Sequence, residues 1–159
     1  MKIRVGFGYD VHQLKEVESL VLGGVNINHY KGTVAHSDGD VLIHAICDAL
    51  LGAANLRDIG VLFPDNSDEY KNIDSKILLK KTIELLKENS YSISNIDSTI
   101  CLQKPKIKDI IPDMQKILSS VMNISINDIS IKATTTEKLG FVGTEEGISA
   151  YAVCLIEKG

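Results

Sequence analysis

Cysteine is scarce in this chain, and the three present argue against both a disulfide framework and a thiolate metal site. Cys47, Cys101 and Cys154 are odd in number, far apart and set among apolar residues, the pattern of buried reduced thiols. Long apolar runs are also missing. Nothing approaches the ~20 residues of a membrane span, and the charged start from Lys2 to Gly6 leads into no stretch of signal-peptide length. A cytoplasmic chain without a membrane partner is expected. There is no excess of positive charge either: 17 Lys and Arg against 21 Asp and Glu leave a formal charge of -4, which offers no broad attraction to nucleic acid. Repeats and low-complexity linkers are absent, so the 159 residues are read as one domain, 1–159.

The residues that are present alternate between strand and helix character. Ile3, Val5, Phe7 and Tyr9 recur with the period of a half-buried strand, which Asp10 and His12 continue. A short strand is expected at Leu20–Leu22, ended by Gly23-Gly24, and a polar loop at 30–37. His29 is expected at the surface. Ser37-Asp38-Gly39-Asp40 supplies capping side chains for a largely buried helix from Val41 to Leu51. Residues 55–72 lack periodicity, as functional loops do. Helices are expected over 74–88 and 107–122, and strands over 93–102, 129–133 and 149–156. If the first two strands pair as a hairpin, the class is α+β: a mixed β-sheet with helices on one face. The other face then needs a partner, which points to an oligomer.

Chemistry concentrates in three places. Asp10 and His12 sit two apart on a strand, so both side chains leave the same face and can reach one metal ion. Asp40, His44 and Asp48 recur every four residues along an otherwise apolar helix. Two imidazoles and a carboxylate, from Asp10, His12 and His44, would leave a tetrahedral Zn²⁺ one open position, the arrangement of a catalytic site. Asp40 or Asp48 could accept the second ring N–H of a ligand histidine. Finally, Lys132-Ala133-Thr134-Thr135-Thr136-Glu137-Lys138 runs a strand into hydroxyls and one carboxylate. Such a loop suits phosphate oxygens with Mg²⁺ or Mn²⁺ on Glu137.

Several blocks, in order and spacing, resemble the 2-C-methyl-D-erythritol 2,4-cyclodiphosphate synthase family: Gly8-Tyr9-Asp10-Val11-His12, Ala35 to Ala45, Asp58-Ile59-Gly60 with Phe63-Pro64-Asp65, Gln103 to Lys106, and Lys132 to Phe141. The resemblance spans nearly the whole chain. It implies a homotrimer whose sheets face the axis and whose active sites lie between subunits. The substrate implied is a cytidine diphosphate derivative of methylerythritol 2-phosphate, within isoprenoid biosynthesis. It also implies Zn²⁺ on Asp10, His12 and His44, and Mg²⁺ or Mn²⁺ on Glu137. His36 and Thr135 become candidates for stabilising the transition state. Ser37 would lie near the phosphates and Asp58 and Gly60 would contact the erythritol hydroxyls, with Ile59, Phe63 and Asp65 as further substrate-binding residues. Leu102 to Lys108, including Lys106, would form the cytidine pocket with Ala133 and Thr134, and Thr135 and Phe141 are further substrate-binding candidates. A plastid location would follow only if a transit peptide had been removed.

Two positions depart from the family pattern. Where members with a ligand-binding cavity on the trimer axis often carry an arginine and a glutamate, this chain has Thr144 and Tyr151. Without the arginine an anionic head group loses its main partner, so weak or no binding of an isoprenoid diphosphate is expected. The same metal ligands would also serve a zinc- or magnesium-dependent phosphohydrolase, or a trimeric metal-binding protein without turnover.

Overall fold

The computed structural model describes residues 2–17 and 19–159. Its strands are β1 (Lys2–Glu16), β2 (Ser19–Leu22), β3 (Val25–Asn28), β4 (Lys31–Val34), β5 (Tyr91–Cys101), β6 (Ile129–Thr134) and β7 (Gly147–Lys158). Its α-helices are α1 (Val41–Ala53), α2 (Ile59–Leu62), α3 (Ser75–Glu88), α4 (Ile111–Met122) and α5 (Gly140–Gly143). Five strands form one mixed sheet in the order β4-β1-β7-β5-β6, in which only β5 and β6 run parallel, while β2 and β3 form a separate hairpin. The α+β class and mixed sheet match the sequence reading. The strand pairing does not: β1 joins β4 and β7 rather than β2, and β4 lies inside the stretch expected to be loop.

The largest difference concerns β1. Its apolar side chains look outward, with Val5 68% and Phe7 61% exposed, and the glycine side is the one that packs inward. The cause is close approach. A Cβ on Gly6 would stand 1.9 Å from the Ala49 carbonyl oxygen, and one on Gly8 1.8 Å from that of Ala45. Helix α1 therefore lies directly on the β1 backbone, which only glycine in the strand permits. The rest of the inner face is apolar: Ile148, Ala150, Ala152, Cys154 and Ile156 of β7 and Ile96 and Ile100 of β5 are buried beneath the helices. Burial pushes the Cys47 thiol up to about 12 and Cys154 to about 11, so both remain unreactive thiols.

On the opposite face Ile3, Val5, Phe7, Tyr9 and Val11 of β1 join Tyr151 and Val153 of β7 in an exposed apolar surface. The ring centroids of Tyr9 and Tyr151 are 5.0 Å apart. A contiguous apolar patch of this kind marks an interaction surface.

Asp40 ties the hairpin to the helix. Fully buried, its carboxylate accepts from Gly23 N–H at 3.0 Å, Gly24 N–H at 2.7 Å and Ile43 N–H at 3.1 Å, the last as N-cap of α1. Burial raises its pKa, and these backbone donors offset only part of the rise. Helix α4 starts at Ile111, later than its periodicity suggests, with Pro112 in its first turn and Asn123 in the left-handed conformation closing it.

Gly8→Ala should force α1 away from β1 and cost about 3 kcal/mol, the upper part of the usual overpacking range. Because α1 and β1 share the cluster of Asp10, His12 and His44 described below, any metal binding there should be lost with it. Urea denaturation and metal-binding measurements check both, and a variant with wild-type stability and metal binding would contradict this packing.

Candidate functional site

The register of β1 and the seating of α1 bring three ligand-type side chains to one point. Asp10 and His12 lie beyond the glycine contact, opposite Ala150 and Ile148 of β7, and His44 projects from the first turn of α1. Asp10 Oδ2 is 3.0 Å from His44 Nδ1 and 3.3 Å from His12 Nε2, and the two ring nitrogens are 3.1 Å apart. A tetrahedral zinc with bonds of about 2.05 Å has ligand–ligand edges of about 3.3 Å. The triangle is thus the size of one tetrahedral face.

The second nitrogen of each ring fixes its tautomer. The Val11 carbonyl can only accept, so His12 Nδ1–H donates to it at 2.8 Å and leaves a lone pair on Nε2. The Ser75 hydroxyl donates to Asp38 Oδ1 at 2.5 Å, so it accepts from His44 Nε2–H at 2.9 Å, with Ser37 Oγ as a second neighbour at 3.2 Å. That leaves the lone pair of His44 on Nδ1. Two imine lone pairs and a carboxylate oxygen then converge, a set that calls for a cation. Burial alone disfavours a charged His44, but the hydrogen bond and charge of Asp10, backed by Asp40 and Asp38, outweigh it and raise the pKa. Burial lowers that of His12.

The carboxylates expected behind the histidines are engaged elsewhere. Asp40 caps α1 and binds the β2–β3 turn, and Asp48 accepts from Ile59 N–H at 2.9 Å, holding α2 against α1. Their periodicity along the helix is real, but successive turns of α1 face different neighbours. The ring partner is Ser75, itself held by Asp38, and sequence reasoning missed both. Ser75 is 31 residues from His44 and looks like an ordinary residue at a helix start. No local pattern marks it.

The triad opens on a cleft of about 370 Å³ whose lining includes His36, Ser37, Ile59, Gly60, Phe63, Asp65 and Tyr70. His36 Nε2 donates to the Ser67 carbonyl at 3.0 Å. Asp58 is not in the wall, because its carboxylate caps α2 through Val61 N–H. A second pocket of about 140 Å³ gathers Leu102, Gln103, Pro105, Lys106, Ala133, Thr134 and Thr135. Thr135 Oγ1 accepts from Glu137 N–H, which holds Glu137 at a positive φ of 54° in the exposed loop after β6. Phe141 lies in neither pocket and packs against Gly147. His29 is half-buried against the Tyr30 ring instead of freely exposed.

The two pockets lie apart across the width of the sheet. Asp10 is level with Ala150, Ala150 with Ile100, and Ile100 with Ala133. Three strand spacings separate the triad from the second pocket, or about 14 Å. Within one chain they share no residue.

The model of the YgbB family matches residues 3–157. A Bacteroides fragilis protein named 2-C-methyl-D-erythritol 2,4-cyclodiphosphate synthase is 67% identical over 158 residues, 99% of each chain. A Porphyromonas gingivalis protein of the same name is 60% identical, covering 96% of this chain and 94% of its own. The chain belongs to the YgbB family of 2-C-methyl-D-erythritol 2,4-cyclodiphosphate synthases. These cyclodiphosphate synthases are lyases that form CMP. Among solved structures, the bifunctional IspDF of Campylobacter jejuni matches with a TM-score of 0.96 at 42% identity, over 99% of this chain and 43% of that one. The CDP complex of Plasmodium falciparum IspF matches with a TM-score of 0.87 at 40% identity, over 98% and 96% of the two chains.

Ser75→Ala in this synthase should lower metal affinity between about ten- and a hundred-fold, the usual effect of removing an outer partner of a ligand histidine. Competition with a chromophoric chelator measures it. Unchanged affinity would show that Ser37 alone orients His44.

Proposed function

We propose that this chain converts 4-diphosphocytidyl-2-C-methyl-D-erythritol 2-phosphate to 2-C-methyl-D-erythritol 2,4-cyclodiphosphate and CMP, in the non-mevalonate route to isoprenoids. A single synthase domain acts as a cytoplasmic homotrimer, with its exposed β1–β7 faces turned to the axis. One observation carries the reading: a triad able to hold a metal, opening on a cleft, paired with a separate pocket lined by Lys106, Thr134 and Thr135 about 14 Å away across the sheet. Each is half of a site for a long substrate. The cleft of one subunit facing the second pocket of a neighbour makes a whole one.

The donor set around Asp10, His12 and His44 fits Zn²⁺ by size and by tautomer. Glu137, a single exposed carboxylate beside threonines, fits Mg²⁺ or Mn²⁺, which complete their shells with water and phosphate oxygens. Bound there, the two cations would neutralise and align the diphosphate of the substrate. The chain's own residues do the remainder. Ser37, Ile59, Gly60, Phe63 and Asp65 position the erythritol phosphate end, and Asp58 caps α2, which carries Ile59 and Gly60. Leu102, Lys106, Ala133 and Thr134 hold the cytidine end. The 2-phosphate oxygen attacks the β-phosphorus, and the bond from that phosphorus to the CMP oxygen breaks. The attacking oxygen is already anionic, so no strong base is required, only alignment and charge stabilisation. His36, which lines the cleft, and Thr135, which lines the second pocket, stabilise the transition state in this reading.

His12→Ala and Glu137→Ala should each reduce CMP release by more than about a hundred-fold, since each removes preorganised charge stabilisation. Co-expressed in equal amounts, the two inactive chains should regain on the order of a quarter of wild-type activity per site, because a shared interface pairs an intact half from each. Assays of CMP and cyclic diphosphate on the mixed oligomer decide it. No recovery on mixing, or CMP released without cyclic product, would refute the proposal.

A further inference from the structure

The outer wall of the cleft runs from Phe63 to Tyr70 and has little burial of its own. Neither α2 nor the short 3-10 turn Asp68–Tyr70 contributes a fully buried residue, and the turn has no side-chain cap. Segments with so few buried contacts open readily unless something else holds them. On the inner side His36 does so: its ring donates to the Ser67 carbonyl, and its own carbonyl accepts from Asn72 N–H at 2.7 Å. On the outer side the rings of Phe63 and Tyr70, both lining the cleft, meet edge to face with centroids 5.6 Å apart at 74°.

Behind these rings stands Lys81 of α3. Its ammonium lies 5.2 Å from the Tyr70 centroid, 5.8 Å from that of Phe63 and 3.8 Å from the Glu69 carboxylate. Both rings are within the ~6 Å at which a cation is attracted to an aromatic face. Lys81 is not part of the cleft lining, so it meets the wall and not the ligand. Its neighbour Lys80 is exposed.

We propose that Lys81 is a positioning residue that clamps the Phe63–Tyr70 wall over the cleft, tightening the grip on the erythritol phosphate end and taking no part in phosphoryl transfer. This rests on the reading of the cleft as the substrate site. Lys81→Met keeps the aliphatic stem and removes the charge. It should raise KM about five-fold, with kcat changed less than about two-fold, the size of cation–aromatic attraction at a partly exposed position. Lys81→Arg should restore the wild-type KM. Lys80→Met, which removes the same charge from the same helix away from the rings, should match wild type and so control for general attraction of an anionic substrate.

Hydrogen exchange without substrate tests the clamp independently of what the cleft binds. The amides of Ser67, Tyr70, Asn72 and Ile73 should exchange several-fold faster in Lys81→Met and at the wild-type rate in Lys81→Arg. Unaltered exchange in Lys81→Met would remove the clamp. Faster exchange with unchanged KM, or an equal rise in KM for Lys80→Met, would remove its role in substrate binding. If the wild-type enzyme formed no cyclic diphosphate, the assignment of the cleft would fall while the exchange result stood.

Discussion

The contact between the α1 backbone and the β1 backbone is the constraint on which the rest depends. Gly6 and Gly8 let the Ala45 and Ala49 carbonyls come closer than any side chain would allow. At that distance His44, one residue before Ala45, reaches the same point as Asp10 and His12, two and four residues beyond Gly8. A displacement of one methyl thickness would pull the ligand triangle apart. Core packing and ligand geometry are therefore one interaction here.

Around that contact the buried polar groups work as braces. Asp40 binds three backbone N–H groups from the β2–β3 turn and α1, so the hairpin and the helix move together. Asp38 accepts from Ser75 through both its backbone N–H and its hydroxyl, which ties the start of α3 to the loop before α1 and places the hydroxyl against His44. Each brace leaves no buried charge without hydrogen bonds, the condition under which charge can sit in a core. The result is rigid on the triad side. The opposite wall of the cleft is held by contacts at the surface instead.

Much of the site could be read from the sequence, and the reasons differ by residue. Asp10 and His12 share a strand face because the strand period is two, and His44 is conspicuous as an imidazole on an apolar helix. Those are local regularities. Asp40 and Asp48 misled because periodicity along α1 says which side chains share a stripe, not what each turn of that stripe meets. The apolar side of β1 misled in the same way: alternation shows that a strand has two kinds of face, and only the seating of α1 on the glycines decides which is inside. Ser75 left no trace in the sequence, because its role depends on a fold contact across 31 residues.

What the sequence determined by itself is the chemistry available: two imidazoles and a carboxylate of the right kind, a run of threonines ending in Glu137, an α+β alternation and the motifs of one family. Those follow from residue identity and short-range period. Only the tertiary structure decided which ring nitrogens face the metal position, that Ser75 and Asp38 fix one of them, and that the two pockets stand three strands apart across one sheet. Distances across a sheet and the partners of buried groups are set by how elements pack, and packing is a property of the whole chain.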